Sequence, residues 1–308
     1  MKDVIIGQSS VKAPAIIQGC MRIGTKSIKE LEDLISTQLE NGVSFFDHAD
    51  IYGKGKCEEL FGEVLKATPS LRDKIQLQTK CAIRPGKYTI YDFSKEHIIK
   101  SVEGSLKRLK TDYVDYLLLH RPDTLMEPEE VAEAFDLLYS SGKVRHFGVS
   151  NHTPMQIELL KNYVNQPIEI NQMQFSIMHT GMIDSGFNSN TREEAAVNRD
   201  GYVLDYCRLK GITLQCWSPF QYGMFQGVFL GNEKFPEVNR VISKLMDKYK
   251  VTDSAIAVAW LLRHPANMQV VVGSTNINRL KAINKAAEIK LTREEWYEIY
   301  AAAGNRLP

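Results

Sequence analysis

The chain has 308 residues, of which 44% are hydrophobic and 24% are charged, and its formal net charge is +1 at pH 7. These values are ordinary for a globular protein with a sizeable buried core, and they exclude intrinsic disorder. They give no support to nucleic-acid binding either, because the chain has no basic run with interleaved aromatic residues.

The N-terminal segment is interrupted by charged and polar residues such as Lys2, Asp3 and Lys12, so it lacks the apolar core of a signal peptide. No stretch of the sequence approaches the apolar length of a membrane span. The five cysteines are scattered and never form a CxxC pair, which favours reduced thiols. We therefore expect a cytoplasmic protein without membrane association.

Apolar runs of strand length alternate with longer helical segments along the whole chain, after a short N-terminal segment with hairpin character. This alternation is the pattern of repeated βα units. It predicts one domain spanning residues 1–308. The eight predicted strands are Ala15–Cys20, Val43–Asp47, Ile75–Thr79, Val114–His120, Val144–Ser150, Ile168–Met173, Ile212–Trp217 and Met268–Val272.

The segments between these strands carry apolar residues at spacings of three and four, as amphipathic helices do. The clearest are Ile28–Glu40, Lys95–Leu109, Pro128–Ser140 and Arg240–Tyr249. Several of the predicted helices end at a glycine, where a left-handed residue commonly terminates a helix. These glycines are Gly42, Gly142 and Gly211.

Eight parallel strands with helical crossovers close most naturally into a barrel, because the outer helices cover the strands. The predicted fold class is therefore α/β, a (β/α)8 TIM barrel with an N-terminal hairpin. Leu291–Ala303 is predicted to add an extra C-terminal helix. A doubly wound open sheet fits less well, since it would usually have fewer strands and a glycine-rich first turn.

Two long segments depart from the repeat: Thr180–Asp200 follows the sixth predicted strand, and Ser218–Pro236 follows the seventh. Active sites of barrels are built from loops at the carboxyl ends of strands, so we expect both segments to form a pocket wall. The alternative is a pair of surface insertions.

Four polar side chains stand where predicted strands end or shortly afterwards. They are Asp47 and Tyr52 after the second strand, Lys80 after the third, and His120 at the end of the fourth. Taken singly, Asp47 and Lys80 could form a structural ion pair, and the two rings could be packed core residues. Because parallel strands point their carboxyl ends at one rim of a barrel, we expect all four to converge there.

Together these four residue types suit the reduction of a carbonyl group. Hydride addition builds negative charge on oxygen, so the site needs a donor that can release a proton in the transition state. A tyrosine is a poor acid at neutral pH, and we expect the ammonium of Lys80 to lower the pKa of Tyr52. Asp47 would hold the lysine, and His120 would orient the carbonyl oxygen or assist proton transfer.

The order of these residues resembles the aldo-keto reductase superfamily, and the resemblance covers essentially the full chain. The family pattern is an Asp, a Tyr five residues later, a Lys ending the next strand and a His ending the one after. Ser105–Leu109 and Asp112–Asp115 also resemble a family signature. The resemblance implies an NADPH-dependent enzyme that reduces a small-molecule aldehyde or ketone, with Tyr52 as proton donor.

The resemblance also implies how the cofactor is held. In the family, a Ser-Asn pair and a Gln bind the nicotinamide carboxamide, an aromatic side chain stacks on the ring, and the following loop passes the pyrophosphate. The corresponding residues are Ser150, Asn151, Gln172, Trp217, Ser218, Pro219 and Phe220. Trp217 stands where the family more often has Tyr, a change that a stacking role tolerates.

The eighth predicted strand leads into Gly273, Ser274 and Arg279, where barrels often hold a phosphate against a helix N-terminus. The resemblance implies that Ser274 and Arg279 bind the 2′-phosphate of NADPH, to which an arginine can make bidentate contacts. The alternative is a helix cap and a solvated arginine. Many relatives carry Lys at Gly273, and some carry Asn at Ile283, so these positions do not fix the preference for NADPH over NADH.

Two other classes of function compete with this interpretation. Asp47, His48, Asp50 and His120 suggest a metal-dependent hydrolase, but His48 adjoins Asp47 on a chain that alternates sides, so we expect no metal site. The second rival is a regulatory or interaction subunit that keeps the barrel and the cofactor but turns over little. The complete set of four residues argues against that loss of activity.

Overall fold

A closed barrel of eight parallel strands forms the centre of the molecule, as predicted. The computed structural model describes residues 1–308. The antiparallel hairpin of β1 (Asp3–Ile5) and β2 (Lys12–Pro14) comes first. The barrel strands follow chain order: β3 (Ile16–Gly19), β4 (Phe45–Asp47), β5 (Gln76–Cys81), β8 (Val114–Leu119), β9 (Val144–Ser150), β10 (Ile168–Gln174), β11 (Thr213–Trp217) and β12 (Met268–Val272). Strand β12 pairs with β3 and closes the ring.

Helices surround the barrel, and all but the last two connect successive strands. They are α1 (Ile28–Glu40), α2 (Lys56–Ala67), α3 (Lys95–Leu109), α4 (Pro128–Ser140), α5 (Pro154–Lys161), α6 (Gly181–Phe187), α7 (Val203–Lys210), α8 (Pro236–Tyr249), α9 (Asp253–Arg263), α10 (Ile277–Asn284) and the C-terminal α11 (Arg293–Ala302). Gly42, Gly142 and Gly211 follow helices with positive φ, as predicted. None of the helices is both long and apolar enough to cross a bilayer.

Two predicted strands, Val144–Ser150 and Met268–Val272, have the observed bounds, and the other six differ by one or two residues at one or both ends. Strand β4 begins at Phe45 rather than Val43, because the backbone N–H of Val43 still bonds the carbonyl of Gln38 at the end of α1. Strand β5 continues to Cys81 instead of ending at Thr79, since residues 79–81 pair with β8. Lys80 therefore lies inside a strand.

Two hydrophobic clusters fill the fold. The larger has 71 buried residues contributed by both helices and strands. The smaller joins the N-terminal hairpin to side chains of the barrel strands, and its members are Ile6, Ala13, Ile17, Phe45, Tyr116, Leu118, Ile170 and Val271. The hairpin packs against inward-facing residues of the strands, which leaves the opposite, carboxyl end of the barrel for a pocket.

The two long segments lie in different parts of the molecule. Thr180–Asp200 contains α6, and it packs against the C-terminal helix, where Tyr300 donates a 2.7 Å hydrogen bond to Asp184. No residue of this segment lines the main cavity, so its predicted place in the pocket wall is wrong. Ser218–Pro236 does line the cavity, with side chains that include Phe220 and Phe225. A short hairpin of β6 (Ile83–Arg84) and β7 (Ile90–Tyr91) adds to the same rim.

Candidate active site

A cavity of about 670 Å³ opens at the carboxyl ends of the barrel strands. It is lined by every residue predicted for the site except Lys80. Those lining residues are Asp47, Tyr52, His120, Ser150, Asn151, Gln172, Trp217, Ser218, Pro219, Phe220, Gly273, Ser274 and Arg279. Lys80 is completely buried beneath the cavity floor.

The ammonium of Lys80 has a full set of oxygen partners. It bonds both carboxylate oxygens of Asp47 at 2.7 and 2.8 Å, the carbonyl of His48 at 2.8 Å and the hydroxyl of Tyr52 at 3.1 Å. An unpaired charge at this depth would be strongly unfavourable, so the carboxylate is what allows a charged lysine there. Of these partners, Asp47 and Tyr52 line the cavity.

Tyr52 is placed by a tight turn after β4. Its backbone N–H bonds the carbonyl of Ala49 at 3.0 Å, and the chain then reverses through Gly53, Lys54 and Gly55, all with positive φ. Gly55 is also constrained by space, because a Cβ there would lie 2.9 Å from the side chain of Arg108. The turn holds the phenol over the strand end that carries Asp47.

The pKa of Tyr52 is raised rather than lowered. Burial raises it, and the ammonium of Lys80 offsets only part of that rise. The prediction was correct for the electrostatic contribution of Lys80 and wrong for the net direction, because it took no account of burial. Burial acts to lower the pKa of Lys80, but Asp47 outweighs it and the net shift is upward. At neutral pH the pair is therefore a protonated phenol beside an ammonium.

His120 directly follows β8 and presents its ring edge-on to Tyr52, with 6.0 Å between the ring centroids. Burial, followed by the positive charges of Lys80 and Arg121, holds the pKa of His120 well below its ordinary value. Its Nδ1 atom is buried without a hydrogen-bond partner. A neutral imidazole at the cavity wall can exchange a hydrogen bond with a ligand oxygen.

Glutamine side chains inside the barrel support Asp47. Gln78 donates to its Oδ1 atom at 2.6 Å, and Gln172 donates to the same atom at 3.1 Å. Gln215 accepts a 2.9 Å bond from each of these two glutamines and donates to Gln269 at 3.0 Å. The carboxylate is thus fixed from below by a continuous amide network, which limits its rotation.

The residues predicted for the nicotinamide form a connected group. Asn151, in a left-handed conformation with φ 60°, donates to Ser150 Oγ at 2.7 Å and accepts from Trp217 Nε1 at 3.2 Å. Ser150 Oγ in turn donates to the backbone carbonyl of Gln172 at 2.9 Å. The amide nitrogen of Gln172 donates hydrogen bonds to Asp47 and Gln215, whereas its Oε1 has no intramolecular partner. That free acceptor suits a carboxamide NH₂.

The loop after β11 begins with Ser218 in a left-handed conformation, φ 51°, which turns the chain across the cavity. Pro219 and Phe220 continue its wall, and Phe225 packs near Trp217 with 6.4 Å between ring centroids. This stretch of wall is therefore aromatic.

After β12, Ser274 and Arg279 reach the far end of the cavity. The guanidinium of Arg279 is exposed and makes no hydrogen bond or ion pair with the protein, and its backbone N–H is capped by Asn276 at 3.0 Å. A Cβ at Gly273 would meet no atom within 4 Å, so packing does not impose glycine there. Ile283 is fully buried in the core and presents nothing to the cavity.

A second buried carboxylate group lies around Glu58 of α2. Its two oxygens accept bonds from Thr79 at 2.6 Å and Arg108 at 2.8 Å. Nearby Asp50 has a buried Oδ1 without any partner. Burial, and then the charge of Glu58, raises the pKa of Asp50 to about 7. His48 belongs to neither group of carboxylates, because its ring packs against Phe61 with 4.7 Å between centroids.

Three residues of the site were not assigned any role from the sequence. Gln78 lies two positions before Lys80, and Gln215 lies two positions before Trp217, so strand alternation places each pair on one face. That spacing could have identified both glutamines as neighbours of the site. Arg121, which follows His120 and lines the cavity, carried no comparable signal beyond its charge. Met21, Arg22 and Ile83 also line the cavity.

Comparisons with known proteins agree with this geometry. The sequence model of the Aldo/keto reductase family matches residues 15–303. An uncharacterized oxidoreductase, YcsN of Bacillus subtilis, is 38% identical, with 93% of each chain covered. A 6-dehydroglucose reductase of Agrobacterium fabrum is 34% identical over 94% of this chain and 93% of its own.

A solved structure of the thermostable aldo-keto reductase Tm1743, in complex with the inhibitor epalrestat, superposes with a TM-score of 0.77 at 26% identity. The match covers 98% of this chain and 100% of that chain. With the family match over residues 15–303 and the oxidoreductase relatives, this similarity identifies the chain as a member of the aldo/keto reductase family, an NAD(P)H-dependent oxidoreductase.

Proposed function

We propose that this enzyme uses NADPH to reduce an aldehyde or ketone to an alcohol, with Tyr52 as the general acid. The observation that carries the proposal is the position of the Tyr52 hydroxyl. It faces the cavity, and it lies 3.1 Å from a buried ammonium that Asp47 holds in place. We further propose that residues 1–308 work as one domain in the cytoplasm, which agrees with five free, buried cysteines.

Each residue of the group has a distinct task in this proposal. Tyr52 donates its phenolic proton to the carbonyl oxygen as negative charge develops there, and Lys80 stabilises the phenolate that remains. Asp47 keeps Lys80 charged and oriented, with Gln78 and Gln172 fixing its carboxylate. His120, neutral at pH 7, orients the carbonyl oxygen.

The residues around the cavity fit a nicotinamide cofactor, which when bound supplies the hydride for the carbonyl carbon. Ser150, Asn151 and Gln172 offer hydrogen-bonding atoms to the carboxamide, and Trp217 offers a flat indole for stacking. The pyrophosphate would pass the loop of Ser218, Pro219 and Phe220, which lines the cavity. Gly273, Ser274 and Arg279 would surround the adenosine end, where the unpaired guanidinium fits a 2′-phosphate.

The proposed preference for NADPH is tested with Arg279→Ala. We expect NADPH affinity to fall by about tenfold or more and NADH affinity to change much less, because only NADPH carries the 2′-phosphate. Fluorescence titration of both cofactors measures the two dissociation constants. Equal losses for the two cofactors would remove Arg279 from this role.

The proposed activity is tested by following the loss of NADPH absorbance with a panel of reactive aldehydes. The panel includes a sugar-derived aldehyde, because two relatives are named 6-dehydroglucose reductases. Turnover of one or more members supports the proposal. Tight NADPH binding with no turnover across the panel would favour a regulatory subunit instead.

A further inference from the structure

Arg121, one of three arginines that line the cavity, has no counter-charge. It directly follows His120 at the end of β8, is partly buried and lines the cavity. Its guanidinium makes no hydrogen bond or ion pair with any protein group, in contrast to Arg84, which pairs with Asp92 at 2.6 Å. Arginine cannot lose its charge in a protein, so a partly desolvated guanidinium without a carboxylate partner is a good site for an anionic ligand.

The carboxylates near this end of the cavity are all engaged elsewhere. Asp47 is paired with Lys80, and both oxygens of Asp123 accept backbone N–H groups, from Phe93 at 2.9 Å and Leu125 at 2.9 Å. Asp253 lines the cavity at the start of α9, where its Oδ1 accepts hydrogen bonds from the backbone N–H and the hydroxyl of Ser254. No protein carboxylate is therefore available to neutralise Arg121.

Arg121 is also separated from the proposed 2′-phosphate site. It follows β8, the fourth barrel strand, whereas Arg279 follows β12, the eighth, and these two strands lie opposite each other in a ring of eight. An anion bound at Arg121 is therefore distinct from the cofactor's 2′-phosphate. Arg121, unlike Arg279, directly follows His120, which is proposed to orient the substrate carbonyl.

Trp217 helps to hold the guanidinium at this position. The Arg121 Cζ atom lies 5.8 Å from the indole ring centroid, within the range of a cation–π contact. The indole is itself fixed by its bond to Asn151. This contact leaves the five N–H donors of the guanidinium free for a bidentate anion.

Apolar side chains also line the cavity. Ile51, Ile83, Tyr91, Met224 and Phe225 are among them. They provide a surface for the hydrocarbon or aromatic body of a ligand, while the polar atoms stay at Tyr52, His120 and Arg121.

We infer that Arg121 binds an anionic group of the substrate, so that the enzyme's substrate class is a carbonyl compound with an apolar body and a carboxylate or similar anion. This inference rests on the proposed function, because it assigns the substrate of the same site. The guanidinium acts in binding and orientation, and the proton still comes from Tyr52.

The test compares 4-carboxybenzaldehyde with its neutral methyl ester, methyl 4-formylbenzoate, at saturating NADPH. The quantity measured is the ratio of kcat/KM for the acid to kcat/KM for the ester, in the wild type, Arg121→Gln, Arg121→Lys and Arg22→Gln. Using the ratio removes any general effect of a substitution on folding or cofactor binding. Arg22 is the matched control, since it lines the same cavity but follows β3.

We expect Arg121→Gln to lower the ratio by on the order of tenfold, the size of a lost hydrogen bond to a charged group. We expect a smaller fall in the ratio for Arg121→Lys, which keeps the positive charge. Arg22→Gln should leave the ratio within about twofold of the wild-type value. An unchanged ratio in Arg121→Gln, or an equal fall in Arg22→Gln, would overturn the assignment. If the assignment fails but the wild-type enzyme still reduces the ester, the proposed carbonyl reduction is supported and only the proposed substrate class is wrong.

Discussion

Asp47 and Asp50 lie three residues apart at the end of one strand, yet only the carboxylate of Asp47 has a cationic partner. Asp47 receives Lys80 at 2.7 Å together with two glutamine amides. Asp50 has a buried oxygen with no partner and lies near Glu58, which engages the one nearby arginine, Arg108. Burial accordingly raises the pKa of Asp50 to about 7.

The difference shows that burial alone does not prepare a carboxylate for catalysis. A carboxylate that has an ammonium partner can organise a proton donor, whereas burial without such a partner raises the pKa of the carboxylate. The following substitutions break or sharpen this contrast, from the largest expected effect to the smallest.

Removing the partner of Asp47 should have the largest effect. Lys80→Met is expected to reduce kcat by on the order of 10³-fold, within the range of general acid catalysis. It should also lower the free energy of unfolding by about 3–5 kcal/mol, because a buried carboxylate loses its counter-ion. Steady-state kinetics and urea unfolding measure the two effects.

The double variant Asp47→Asn/Lys80→Met is the control for Lys80→Met. It removes both charges, so it should recover much of the lost stability while staying inactive. Recovery of activity together with stability would contradict the role given to the ion pair.

Neutralising Asp50 should stabilise the enzyme in a pH-dependent way. Its pKa in the folded state, about 7, lies above the ordinary value of 3.8. The folded state therefore binds the proton more tightly, and stability from this group is lost as pH rises from about 4 to about 7. Asp50→Asn should unfold like the wild type near pH 4 and be more stable by about 2–4 kcal/mol at pH 8. Thermal unfolding at both pH values measures this, and equal unfolding at pH 8 would be the contrary result.

Weakening the amide support of Asp47 should have a smaller effect. Gln78→Met removes the 2.6 Å bond to Asp47 and both hydrogen bonds with Gln215 while keeping a similar side-chain volume. We expect a loss of about 1–2 kcal/mol in the free energy of unfolding and a fall in kcat of about tenfold or less. Unchanged kcat and stability would show that Lys80 alone orients the carboxylate.

The barrel was predictable because its signals are local. Apolar runs, amphipathic periods and terminating glycines at Gly42, Gly142 and Gly211 mark the elements without reference to distant residues. Asp47, Lys80 and His120 were visible as polar residues after apolar strands, and parallel topology brings such residues to one rim.

Other features depend on contacts between residues far apart in the chain. The path of Thr180–Asp200 is set by packing on the C-terminal helix, through contacts such as Asp184 to Tyr300. The raised pKa of Tyr52 depends on burial, which the residue spacing does not report. Asp50 likewise lacks a cationic partner, because Arg108 is already bound to Glu58.

The most direct test of the central claim is the rate of NADPH oxidation by Tyr52→Phe under single-turnover conditions, with cofactor affinity measured in parallel. Phenylalanine keeps the ring and removes only the hydroxyl that lies 3.1 Å from Lys80. We predict that the rate falls by on the order of a hundredfold or more with NADPH affinity nearly unchanged. A wild-type rate in this variant would contradict the assignment of Tyr52 as the proton donor.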